Sequence, residues 1–153
     1  LRQPCELNDD VNLRDGTCLR LTKVVRVVPN KRQVCVGVWQ NQTVYAKLFF
    51  GTKASYYAKR DAEGVQALEG ANILTPRLLA QTKTLDGKMD VLIFTALAPA
   101  ENCEVLWQKI NATQRLNLAK KMCETLAKHH AANVLQTDLY FKNFIYFLKK
   151  EVK

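Results

Sequence analysis

At Gly51 the hydrophobic period of the chain changes, and that change limits the folds open to it. Before Gly51, three β-branched segments follow one another: Leu19 to Val28, Gln33 to Trp39 and Thr43 to Phe50. Pro29-Asn30-Lys31-Arg32 separates the first two and Gln40-Asn41-Gln42 the last two, polar breaks of the kind that reverse a chain. The pattern predicts a three-stranded antiparallel meander. After Gly51, Ser55 to Glu69 takes a helical period, with Tyr57, Asp61, Val65 and Leu68 along one face. Gly70 and the segment Asn72-Ile73-Leu74-Thr75-Pro76 end that helix, because the residue before Pro disfavours helical backbone.

Arg77 to Thr82 and Met89 to Thr95 read as two further strands around a turn at Leu85-Asp86-Gly87-Lys88. The composition shifts after Ala98-Pro99-Ala100. Thr113 to Ala132 then reads as a long helix with Leu116, Ala119, Met122, Cys123, Leu126, Ala127 and His130 on its apolar face. His130 on such a stripe is expected to be a packed core histidine. Asn133 to Leu148 reads as a polar loop entering a strand at Phe144 to Leu148. The expected fold class is α+β, a twisted antiparallel sheet of about five strands with one packed helix over residues 1–98. A hinge near Thr95 to Ala100 and the helical start of a second part would occupy 99–153.

Composition excludes several classes. The 153 residues are 48% hydrophobic, enough for a core and too much for a disordered tail. Val24 to Val28 and Val44 to Phe50 are broken by Arg26 and Lys47 far short of the ~20 apolar residues a membrane helix needs. The chain opens on Leu1, and Leu1 to Asp10 holds no signal-peptide stretch, so secretion is not expected. Five cysteines without a CxxC pair argue against a disulfide framework or a zinc site and for reduced thiols in the cytoplasm. His129 and His130, about 100° apart on a helix, do not grip one metal. The sequons Asn41-Gln42-Thr43 and Asn111-Ala112-Thr113 read as coincidences without a secretory signal. A net charge of +9 suits an anionic partner, but no nucleic-acid signature accompanies it and none is expected as ligand.

Two places carry chemistry. Val44-Tyr45-Ala46-Lys47-Leu48-Phe49 is a strand with one Lys among apolar residues, which is costly unless that Lys has a partner. Alternation puts Tyr45, Lys47 and Phe49 on one face, where aromatic walls flank the ammonium. Asp61, on the inner stripe of the next helix, is the expected partner; Glu63 falls on the polar face and stands as the alternative. The second place is the polar loop Gln136-Thr137-Asp138-Leu139-Tyr140-Phe141-Lys142-Asn143, set between a long helix and a hydrophobic strand. A kinase catalytic loop lies in such a setting, and the Lys-bearing strand resembles the Val-Ala-Ile-Lys strand of protein kinases.

Arg60-Asp61-Ala62-Glu63-Gly64-Val65-Gln66-Ala67-Leu68, then Ile73-Leu74-Thr75-Pro76-Arg77-Leu78-Leu79, and later Gln136-Thr137-Asp138-Leu139 with Asn143-Phe144 complete the pattern. With these segments the sequence, over residues 19 to 148, resembles the bacterial lipopolysaccharide core kinases, the heptose and Kdo kinase group of the protein-kinase-like superfamily. The resemblance implies a kinase-like amino-terminal lobe and phosphoryl transfer from ATP to a sugar hydroxyl, at the cytoplasmic face of the inner membrane. Lys47 would then lie on the nucleotide phosphates, with adenine held by backbone groups at the hinge. Asp138 would take the acceptor proton and Asn143 would help hold Mg²⁺. An acceptor other than lipopolysaccharide, or a non-catalytic basic module, are the alternatives. The loop Pro29-Asn30-Lys31-Arg32 departs from the family by lacking glycines, leaving Lys31 and Arg32 to meet phosphates by charge. No metal-binding Asp follows Asn143, so these residues alone are expected to be inert. The apolar stripe of the last helix is expected to favour self-association or a second chain segment.

Overall fold

The computed structural model describes residues 5–96, 100–133 and 145–147. The chain divides into two compact units, Leu1–Gln66 with Thr75–Ala96, and Ala67–Leu74 with Leu97–Lys153. In the first unit, strands β1 (Cys5–Asn12), β2 (Cys18–Val28), β3 (Arg32–Trp39) and β4 (Gln42–Phe49) precede helix α1 (Ala54–Gly70). Strands β5 (Leu78–Lys83) and β6 (Asp90–Thr95) follow it. All pair antiparallel in the order β1-β2-β3-β4-β6-β5. The expected α+β order is present, with the meander and the hairpin where period and turns place them. The sheet has six strands rather than about five. β1 escapes periodicity because Cys5-Glu6-Leu7-Asn8-Asp9-Asp10 carries acids and amides where a strand usually carries β-branched residues. Pairing with β2 makes it a strand, helped by Arg20, whose Nε donates to Asp10 Oδ1 at 2.9 Å.

One face of the sheet buries itself. Leu13, Leu19, Leu21, Val24, Cys35, Trp39, Val44, Ala46, Leu48, Val91 and Ile93 form one cluster drawn from β2, β3, β4 and β6 and the residue that follows β1, with no helix residue in it. The sheet manages this by curling until the ends of its edge strands meet: Leu13 bridges Thr84, Arg14 N–H donates to Lys83 O, and Leu85 N–H donates to Asn12 O, both at 2.9 Å. Meeting ends also remove part of the exposed edge that an open sheet would leave. Two Asp-Gly turns stand side by side at this corner. Asp15 Oδ1 accepts from the hydroxyl and the backbone N–H of Thr17; Asp86 Oδ1 accepts from the hydroxyl of Thr84 and the N–H of Lys88. These bonds hold both carboxyls below the usual carboxylate range, the Thr hydroxyl contributing most in each. The stabilisation is therefore present at neutral pH and lost as pH falls through the depressed values. The Asp15-Gly16 turn carries the same hairpin signal as Asp86-Gly87.

Helix α1 covers the other face. Ala54, Ala58 and Ala62 pack on Phe49, Leu92 and Phe94, with Tyr45, Tyr57, Val65 and Leu78 around them. The buried line is thus the alanines, and the expected stripe of Tyr57, Asp61, Val65 and Leu68 is its half-buried flank. Small side chains let the helix axis approach the sheet, so longer neighbours splay to the sides. The helix ends at Gly70 as expected, and the chain leaves it through Asn72, whose φ of 56° is left-handed. Ile73 N–H then donates back to Leu68 O at 2.9 Å and the Ile73 side chain is buried.

In the second unit, β7 (Ala100–Asn102) pairs with β8 (Ile145–Phe147), and α2 (Cys103–Lys109), which periodicity did not reveal, precedes α3 (Ala112–Ala131). Asn111 caps α3 in a capping box with Gln114, so that sequon's amide is committed to the helix start. The buried residues of α3 are Leu118 and His129, while His130 and Cys123 are exposed and Leu116 is 71% exposed. The expected stripe is rotated: the inward line runs Leu118, Met122, Thr125, Leu126 and His129, and the packed histidine is His129. Its Nδ1 lies 2.6 Å from Thr125 O, a hydrogen bond that satisfies the ring where it is buried.

Two glycines test the packing. A Cβ at Gly37 would lie 2.5 Å from the carbonyl oxygen of Arg20, whereas one at Gly64, on the exposed side of α1, meets nothing within 4 Å. Gly37→Ala is expected to cost about 1–3 kcal/mol in urea unfolding, and Gly64→Ala to add about 0.5–1 kcal/mol. Thiol labelling of the native protein should modify Cys18 and Cys123 and spare Cys35 and Cys103, since the first two are exposed and burial pushes the Cys103 thiol up.

Candidate functional site

Register decides which residues of β3 and β4 share a side. Directly opposed residues in an antiparallel pair point the same way, so Cys35 with Ala46 and Gly37 with Val44 fill the curled interior. Arg32 with Phe49, Val34 with Lys47 and Val36 with Tyr45 lie on the outer face. Helix α1 covers Phe49 completely, so of the two expected aromatic walls Phe49 belongs to the core and only Tyr45 remains partly exposed. Beside the helix the outer face of β3 is an apolar floor of Val34, Val36 and Val38.

Lys47 stands at the border between floor and helix. Its Nζ donates to Asp61 Oδ2 at 2.8 Å and lies 5.2 Å from the centroid of the Phe94 ring. Each side chain of the pair is 29% exposed, so the ammonium is held in place yet reachable from solvent. Of the two candidate acids, Asp61 meets Lys47. Glu63 lies on the outer side of α1, 3.9 Å from Lys59, with both side chains well exposed.

The loop before β3 is anchored rather than free. Phe50 N–H donates to Lys31 O at 3.0 Å, and Lys31 Nζ sits 5.7 Å from the ring centroid of Tyr57 on α1. Arg32 follows, opposite Phe49, and its Nε is buried without a hydrogen-bond partner among the described residues. An orphaned donor of this kind costs about 1–3 kcal/mol relative to a satisfied one. A second polar cluster was not legible in the sequence: Lys83 Nζ donates to Ser55 Oγ at 2.9 Å and lies 3.1 Å from Asp90 Oδ1, while Ser55 Oγ donates to Asp90 Oδ2 at 3.0 Å. Its members come from α1, β5 and β6 with no spacing that links them, and they tie the start of the helix to the hairpin.

Asp138 and Asn143 lie outside the described residues, as do residues 97–99 of the expected hinge. Among the described residues no three His, Cys, Asp or Glu side chains form a group that would hold a metal, and no helix is long and apolar enough to cross a membrane.

No protein-family model matches the chain, and no curated relative matches it. A solved structure titled "Structure of vaccinia related kinase 3" is similar over 67% of this chain, with a TM-score of 0.43 and 10% identity. The likeness covers 33% of that structure's chain, and at this distance it supports nothing about function.

The ion pair has its own test. Asp61→Asn should lower stability by about 1 kcal/mol, since it strands a half-buried ammonium, and Glu63→Gln should change it by less than about 0.5 kcal/mol. Urea unfolding of both variants separates the two acids.

Proposed function

We propose that this chain carries the nucleotide-holding part of an ATP-dependent phosphotransferase that acts on a sugar hydroxyl, of the kind found in lipopolysaccharide core. The observation that carries the proposal is the 2.8 Å pair of Lys47 with Asp61, at the edge of an apolar sheet face. A helix carboxylate that fixes a strand lysine leaves the ammonium directed and partly exposed, the arrangement phosphoryl transfer uses to neutralise phosphate charge. Val34, Val36 and Tyr45 offer a flat apolar surface beside it, suited to a base or ribose.

In this scheme Lys47 binds phosphate oxygens and Asp61 keeps it aimed. Asp138 accepts the proton of the acceptor hydroxyl, whose oxygen forms a bond to the γ-phosphorus as the bond to the leaving ADP breaks. Mg²⁺, when bound, neutralises charge that develops on the transferred group, and Asn143 is the residue assigned to it. The acceptor would be met at the cytoplasmic face of the inner membrane.

Calorimetric titration with ATP tests the scheme directly. Lys47→Ala is expected to weaken ATP binding by about tenfold or more with the fold intact by circular dichroism. Equal affinity in wild type and variant would remove Lys47 from the site, and binding of nucleic acid that falls steeply with salt would favour a non-catalytic basic module. Asp138→Asn should abolish turnover with little change in ATP affinity, because a general base acts on the transition state.

A further inference from the structure

Lys47 shares its charge with Asp61, so most of the uncompensated charge that an incoming anion meets on this face comes from other residues. That charge lies farther up the same face. Arg32 is two residues from Val34, the partner of Lys47, and so about 7 Å along the strand on the same side. Arg26, opposite Val34 in β2, and Lys31, over Tyr57, stand nearby. Among the described residues no ion pair joins Arg26, Lys31 or Arg32 to a carboxylate. The Nε of Arg32 is buried, and no acceptor among the described residues pairs with it.

A guanidinium whose Nε is buried and unpaired among the described residues is an unusual thing to keep on an apolar face. Phe49, the residue beside it, is core and offers no acceptor. A planar side chain of this type is suited to a phosphate, which it meets with two parallel N–H groups where an ammonium meets it as a point charge. The two cations, Arg32 on β3 and Lys47 on β4, share one face of the sheet and match an anion that carries more than one phosphate.

We propose that Arg32 is the main oligophosphate contact of this face, and that the site selects ligands by the number of linked phosphates, Lys47 serving as the second and weaker contact. The proposal rests on the assignment of this face to ATP but differs from it in placing the larger share of anion binding on Arg32.

The test is calorimetric titration of the whole chain with orthophosphate, pyrophosphate, tripolyphosphate, AMP and ATP. Affinity should rise with phosphate number. Arg32→Gln should weaken tripolyphosphate by about tenfold or more, and Lys47→Ala by less. Arg32→Lys, which keeps the charge but lacks the planar fork of N–H groups, should recover only part of the loss. Arg32→Met should leave the melting temperature unchanged or raised, since it removes an unsatisfied donor; a marked fall would mean that Arg32 is structural and would overturn the proposal. Unchanged tripolyphosphate affinity in Arg32→Gln would overturn it too, and if ATP still depended on Lys47 the nucleotide assignment would survive. The converse, Arg32-dependent tripolyphosphate binding with ATP no tighter than tripolyphosphate, would support the anion site and sink the nucleotide assignment.

Discussion

Strand β4 has almost no side in water. Val44, Ala46 and Leu48 face the curled interior, and Phe49 lies under helix α1. On the helix side of such a strand a charge is favoured where another element brings the opposite charge to it, because an unpaired, half-buried ammonium would lose part of its hydration without replacement. Lys47 meets that condition through Asp61, and the Phe94 ring below it adds a negative π-face. The placement of α1, the aim of the lysine and the partly open floor beside it all follow from this one strand's position in the middle of the sheet.

The helix approaches as closely as it does because the residues it lays on the sheet are alanines. Ala54, Ala58 and Ala62 occupy little space, so the aromatic side chains of Phe49 and Phe94 fill the layer between. Tyr57 and Asp61 are then carried to the flank, where Tyr57 meets Lys31 and Asp61 meets Lys47. Larger residues at the alanine positions would lift the helix and separate both contacts, which couples the packing of the core to the geometry of the site. On the opposite face the curl needs no helix, since the ends of β1 and β5 meet and the interior closes on itself.

Much of this was legible residue by residue. Alternation and turn chemistry placed β2, β3, β4, β5 and β6, and a lone lysine among apolar residues announced that it had a partner. Helical arithmetic separated Asp61 from Glu63 correctly, because two residues apart on a helix means opposite sides. The same arithmetic misjudged α3 by a rotation that exchanged His130 for His129, since its sequence offers two overlapping apolar stripes and only packing selects one. Strand β1 was hidden for a different reason: an acidic segment becomes a strand when a neighbour supplies the hydrogen bonds and a basic side chain opposite, and neither is local.

The sequence by itself determined the order of elements, the turn positions and the need for a carboxylate near Lys47, because these depend on periods and polarity within a few residues. Only the tertiary structure decided that the sheet curls until the ends of its edge strands meet, that Phe49 is core rather than a wall of the site, and that Arg32 keeps a buried donor without a partner among the described residues. Those outcomes depend on register between strands distant in the chain. A shift of one residue would send each side chain to the other face, and no local pattern specifies which residue of β3 lies opposite which residue of β4.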